Sequence, residues 1–237
     1  MKKRSSTVVV LAIALSICRA LTPVANSQIT AVGPFVGTLQ EHFEGFTDFV
    51  AAGFLYESSP ATVFGGAATL TASNLFVFKP TAGSNFRLWS SGNDATPIDG
   101  VKGIGVDNSN AASTFVFTNL IGSFGGYFGA RTGANPSNNN QILPDPATIT
   151  LAFLDSANVQ IGATQSWTYS RTGFADGLLI WHGFTTSTLA KKVVVTGTEY
   201  AYDNLQATNV PEPGVMASII GAGTMSGLLL LRRRRKA

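Results

Sequence analysis

The sequence predicts an all-β protein built as an antiparallel sandwich, and three observations carry that expectation. Runs of β-branched and aromatic residues recur at intervals of roughly 8 to 15 residues. Clusters of Gly, Asn, Ser or Pro separate most of them. No run shows the apolar spacing of an amphipathic helix of about 12 residues or more. The 237-residue chain also carries 25 glycines and 16 phenylalanines, a composition suited to tight turns outside and aromatic filling between two sheets. Together these point to a sandwich of jelly-roll type.

At the N-terminus, Lys2, Lys3 and Arg4 precede the apolar core Val8 to Ile17. Ala25-Asn26-Ser27 then offers small residues at the two positions a signal peptidase reads, so residues 1–27 are expected to form a signal helix removed by cleavage before Gln28. Ten apolar residues are too few for a lasting span. Cys18 is a poor lipid-attachment site, with bulky Ile17 before it and Arg19 after it. Loss of the signal removes the only cysteine, so the mature domain is left without a disulfide, a thiol nucleophile or a thiolate metal site.

Residues 28–209 form the expected ectodomain, long enough for one domain with a sizeable core. From Gln28 to Val210 seven bases stand against twelve acids, a net charge of −5, so the +3 of the whole chain belongs to its ends. Without clustered Lys and Arg the domain is a poor match for nucleic acid or an anionic lipid surface. Strands are expected at Ala68 to Leu70, Leu75 to Phe78, Phe86 to Trp89, Gly103 to Asp107, Thr114 to Phe117, Gly126 to Gly129, Gln165 to Tyr169, Leu178 to Phe184, Lys192 to Thr196 and Glu199 to Leu205. Thr148 to Leu154 and Val159 to Ile161 flank the turn formers Asp155-Ser156-Ala157-Asn158, a hairpin signal. Gly133 to Pro146, rich in Asn and Pro, reads as a long exposed loop.

Catalytic signatures are missing. The chain has two histidines, His42 and His182, and alternation places His182 with Ile180 and Phe184 on one face and Trp181 with Gly183 on the other. No His-Glu-x-x-His, Gly-x-Ser-x-Gly or phosphate loop occurs. The expectation is therefore a non-enzymatic domain; a secreted glycan hydrolase is the alternative, since twelve acids allow many carboxylate pairs. Trp89, Trp167 and Trp181, with Tyr127, Tyr169, Tyr200 and Tyr202, can form a sugar-stacking platform if they share an exposed face, with Asn138, Asn139 and Asn140 as hydroxyl-binding neighbours. Core filling is the more ordinary fate of such rings.

The C-terminus is the most specific segment. Val210-Pro211-Glu212-Pro213 leads into the uncharged run Gly214 to Leu231, then Arg232, Arg233, Arg234, Arg235 and Lys236. Eighteen helical residues reach about 27 Å, enough to span the hydrocarbon layer as one transmembrane helix. Five adjacent cations hold that end on the cytoplasmic side. This order of elements over 210–237 resembles the PEP-CTERM sorting signal of Gram-negative bacteria, which the membrane transpeptidase exosortase reads. The resemblance implies export through the inner membrane, transient anchoring, processing near Pro-Glu-Pro, and a final place at the cell surface or in an exopolysaccharide matrix. A plain single-span anchor is the other reading, and it too puts the domain outside.

A second resemblance lies in Glu199-Tyr200-Ala201-Tyr202-Asp203-Asn204-Leu205-Gln206, which is similar to the closing strand of galactose-binding-like and lectin-like jelly rolls. It implies pairing with an early segment, here Gln40 to Phe46, and a structural calcium held by Glu44, Asp203 and backbone carbonyls. The other reading makes Asp203 an acceptor for backbone N–H groups. No other cofactor is expected.

Overall fold

The structure is a computed structural model and describes residues 28–46, 60–72, 75–78, 87–88, 93–94, 96–106, 111–135, 141–143, 146–170 and 179–210. The signal segment 1–27 and the sorting tail 211–237, with Ala25, Ser27, Pro211 to Pro213 and Arg232 to Lys236, lie outside the described residues, as does Trp89. Among the described residues no helix is long and apolar enough to cross a membrane.

The described chain is antiparallel sheet with one short 3-10 turn at Phe64–Gly66. The strands in order are β1 (Ile29–Val32), β2 (Leu39–Glu41), β3 (Ala61–Val63), β4 (Ala68–Ala72), β5 (Leu75–Phe78), β6 (Arg87–Leu88), β7 (Asn93–Asp94), β8 (Gly103–Val106), β9 (Ala111–Ala130), β10 (Gly133–Asn135), β11 (Gln141–Leu143), β12 (Ala147–Leu154), β13 (Gln160–Tyr169), β14 (Ile180–Gly197) and β15 (Tyr200–Asn209). Two of them organise the rest. β9 and β14 pair along most of their length, with register breaks near Ile121 and Ala190. Below the break the first half of β9 pairs β4, and the second half of β14 pairs β12, which carries β13. Above it the second half of β9 pairs β15 and the first half of β14 pairs β1. β15 pairs β8 and β2 on its other side, and β8 carries β5.

The two halves face one another through their side chains. Phe115, from the first half of β9, lies 5.3 Å from Phe124 of the second half and 5.8 Å from Tyr202 of β15, measured between ring centroids. Tyr200 and Tyr202 reach across to Ser113 at 2.9 and 3.1 Å. All four of Phe115, Phe124, Tyr200 and Tyr202 are fully buried. This is the face-to-face packing that alternating strands produce. β12 shows the alternation plainly, with Ala147, Ile149, Leu151 and Phe153 buried and the residues between them less so.

Several expectations meet a different arrangement. Thr114 to Phe117 and Gly126 to Gly129 are the ends of one 20-residue strand, and Leu178 to Phe184 and Lys192 to Thr196 belong largely to one 18-residue strand. Asn119, Gly122 and Ser187 resemble turn residues, but the chain there bends from one layer to the other without reversing. The 133–146 segment expected as loop contains the small pair β10 and β11. The β12–β13 hairpin is as expected: Asp155 Oδ1 accepts the Ala157 and Val159 N–H groups at 2.8 Å, and Asn158 takes φ +62°, a conformation Asn tolerates.

Candidate functional site

The outer face of the layer β1–β14–β9–β15 carries a cleft of about 380 Å³. The segment 33–38 leaves edge strand β1, crosses over this face and enters β2 beside β15, supplying Pro34, Phe35 and Val36 as one wall. Gly37 sits so close to the backbone of Ala207 that a Cβ has no room. Its N–H donates to Gln206 Oε1 at 3.0 Å, which pins the crossing segment to the sheet. Val36 at its tip is 85 % exposed.

Trp181 forms the aromatic floor. Gly183 follows it two residues later on the same face, and Gly125 lies opposite Gly183 on β9. A Cβ at Gly183 would stand 2.8 Å from the indole, and one at Gly125 2.9 Å from it, so the ring lies on a bed that side chains would displace. Its N–H donates to Val32 O at 3.0 Å, fixing the ring plane. Tyr127, the cross-strand partner of Trp181, meets it edge-on at 5.3 Å, and Phe35 does so at 5.4 Å. Offset and edge-on rings are the favoured aromatic geometry.

Polar groups complete the lining. Gln206 Nε2 donates to Asn204 Oδ1, and Gln40 Nε2 approaches Gly37 O at 3.4 Å. Asn204 has φ +46° where the β15–β9 register slips between Asp203 and Gln206; this bulge keeps Asp203 and Gln206 on the same face. His42 Nδ1 lies 2.9 Å from Asp99 Oδ2, an ion-pair distance without hydrogen-bond alignment. Glu41, between Gln40 and His42, points the other way: its carboxylate accepts the N–H groups of Phe43 and Phe64, two residues at φ +60° and +55°. A left-handed Phe is strained, so this carboxylate stabilises the turn that presents His42. An isolated Glu in a sequence gives no hint of two such partners.

The other tryptophan of known place is elsewhere. Trp167 packs on the inner side, stacked on His182 at 4.2 Å with its N–H on Tyr169 Oη. His182, Phe184 and Trp167 share one face and Trp181 the opposite one, as alternation requires. Burial lowers His182 to about 4, so the ring is neutral at physiological pH. Tyr169, Tyr200 and Tyr202 are core residues and form no platform.

Glu44 and Asp203 serve one loop from two sides. Asp203 Oδ2 accepts the Ile98 and Asp99 N–H groups at 2.6 and 3.1 Å; Glu44 Oε1 accepts those of Val101 and Lys102 at 2.7 and 2.9 Å. The loop thus turns donors, not carbonyl oxygens, towards both carboxylates. Among the described residues no group of three or more His, Cys, Asp or Glu could hold a metal ion. The described residues bring two carboxylates to this loop where calcium takes about six to eight oxygens, and Asp203 Oδ1 is buried without a hydrogen-bond partner among them. Chelation is accordingly expected to leave the melting temperature of the full chain unchanged; a fall reversed by calcium would reinstate the ion. The expected pairing of this last strand with the early segment is seen, as Leu205 opposite Glu41.

No family model matches the chain. No curated protein matches it either. Similar solved structures include the K2 cleaved adhesin domain of Lys-gingipain, at 10 % identity and TM-score 0.43 over 71 % of this chain and 98 % of that one. They also include CsCBM6-3 from Clostridium stercorarium in complex with cellobiose, at 13 % identity and TM-score 0.33 over 76 % of this chain and 100 % of that one. A family 6 carbohydrate-binding module follows at 14 % identity and TM-score 0.33, over 68 % of this chain and 95 % of that one. Likeness at these scores assigns neither ligand nor activity.

Proposed function

We propose that this chain is an exported surface or matrix protein whose jelly-roll-type sandwich binds glycan in the Trp181 cleft without cleaving it. The observation that carries the reading is the indole laid on Gly125 and Gly183 inside a cleft rimmed by amide side chains, since a held aromatic ring beside hydrogen-bonding groups is what a sugar face and its hydroxyls require. Asp99 is the one carboxylate among the described residues lining the cleft, whereas glycoside cleavage needs two, roughly 5 to 9.5 Å apart.

A stacked ring contributes on the order of 0.5–1.5 kcal/mol by analogy with aromatic pairs, so single-site affinity is weak and retention in a matrix depends on many copies. Calorimetric titration of the full chain in mild detergent, against oligosaccharides from the producing organism's exopolysaccharide, tests this. Trp181→Ala is expected to weaken binding by about two- to ten-fold. Gly183→Ala, which keeps the ring but lifts it, is expected to act in the same direction. Binding unchanged in both variants sinks the assignment of the cleft. Reducing ends that accumulate on incubation, and vanish in Asp99→Asn, would make the protein a hydrolase.

The route to the surface belongs to the same proposal. Signal peptidase cuts before Gln28, the 214–231 helix holds the chain in the inner membrane, and exosortase acts near Pro211-Glu212-Pro213. The expected intact mass of protein recovered from the cell surface corresponds to a chain from about Gln28 to about Pro213. A species retaining Arg232 to Lys236 would leave only a plain anchor.

A further inference from the structure

We infer that the cleft selects uncharged sugar residues and rejects glycans bearing carboxylate or sulfate, an inference that rests on the glycan-binding reading of the same site. The charge of the lining points one way. Among the described residues its titratable side chains at neutral pH are Asp99 and His42, whose Nδ1 lies 2.9 Å from Asp99 Oδ2, and it contains no Lys or Arg. Lys102, on the same loop as Asp99, has its ammonium on the backbone oxygens of Glu44 and Phe46 at 3.0 and 2.8 Å, away from this role. An anionic sugar entering here meets a carboxylate and no guanidinium fork or ammonium to pair with it. Burying such a charge unpaired is costly.

Hydrogen-bond polarity points the same way. The Gly37 N–H donates to Gln206 Oε1 and Gln206 Nε2 donates to Asn204 Oδ1, a chain that occupies one lone pair of each amide oxygen. Asn204 is left with its NH₂ as a donor. Gln40, whose Nε2 is turned to Gly37 O, presents its oxygen as an acceptor. The cleft therefore offers both donors and acceptors, and hydroxyl groups can answer both because each donates and accepts. A carboxylate or sulfate only accepts, so each one that replaces a hydroxyl removes a donor that acceptors such as Asp99 can use. At about 380 Å³ the cleft is near the lower end of ligand sites, roughly 300–1,000 Å³, which suits a short stretch of glycan.

The test titrates the full chain in mild detergent with two probe sets, neutral gluco-, manno- and galacto-oligosaccharides and uronic-acid oligosaccharides of matching length, with Trp181→Ala as the site control. Neutral probes are expected to bind and uronates not to, with neutral binding weakened in Trp181→Ala. Asp99→Asn is expected to improve uronate affinity relative to that of the neutral probes by roughly three- to ten-fold, the loss of one like charge at close range in a largely aqueous setting. Uronates that bind as tightly as neutral probes, and lose that binding in Trp181→Ala, would overturn the selectivity and leave glycan binding standing. Absence of binding by either set would overturn both.

Discussion

Replacing Phe115 by Ala is expected to destabilise the protein by about 3–5 kcal/mol, a large share of a domain's total of roughly 5–15 kcal/mol. Phe115 is fully buried, and its ring lies within 6.5 Å of Phe64, Phe124 and Tyr202, centroid to centroid. It stands on the first half of β9 and touches rings from the second half and from β15, so the vacated volume opens between the layers where neither can close it alone. For a domain of this size the melting temperature should fall by roughly 6–20 °C. Phe115→Leu, which keeps most of the volume, should cost about 1 kcal/mol. Thermal and urea unfolding of both variants settles it; an alanine variant within 1 kcal/mol of the parent would mean that the layers do not meet through this ring.

The pH dependence of stability should show two opposed contributions. Burial raises Asp203 from its ordinary 3.8 to about 6, an increase held in check by the N–H groups of Asp99, Ile98 and Asn204 and by His42. A carboxyl raised in the fold favours the folded state most below 3.8, and that contribution is lost as pH climbs through about 6. His182 is the reverse case. Burial lowers it from 6.5 to about 4, so its contribution is complete above 6.5 and is lost as pH falls towards 4. The windows overlap with opposite slopes. His182→Phe should therefore give a curve that declines relative to the parent's by about 1–2 kcal/mol as pH rises from 4 to 6.5, once screening of the partly exposed imidazole is allowed for. Asp203→Asn should give a curve that rises relative to the parent's by about 2 kcal/mol between pH 4 and 6. Difference curves from urea midpoints between pH 4 and 7 provide the measurement; two flat curves would refute both assignments.

What could be read from the residues follows from how locally each feature is determined. The hairpin at 155–158 was legible because Asp155 and Asn158 make their own turn within four residues. The split of His182 and Trp181 onto opposite faces needed nothing beyond a period of two. The length of β9 and β14 was not legible, because continuity past Asn119 and Ser187 depends on partners far along the chain. The cleft was half legible. Trp181 was among the rings that could face a ligand, but its place in the cleft rests on Gly125, 56 positions away and brought beneath it by sheet register. Gln40, Asn204 and Gln206 carried no signal of a shared amide chain, and Glu41 none of the two phenylalanines it restrains.

β15 is an interior strand, bonded to β9 along one side and to β8 and β2 along the other, and the Val210 N–H still donates to Leu120 O at 3.0 Å where the described chain ends. β1, at the opposite end, is a four-residue strand that among the described residues is bonded to β14 alone. The two ends therefore differ in how they bear a mechanical load. A pull on residue 28 peels β1 away one bond at a time, whereas a pull on residue 210 must slide β15 past two neighbours together, loading many bonds at once. If the proposed C-terminal tether holds the chain, drag from the surroundings enters the domain at the end whose pairing resists sliding.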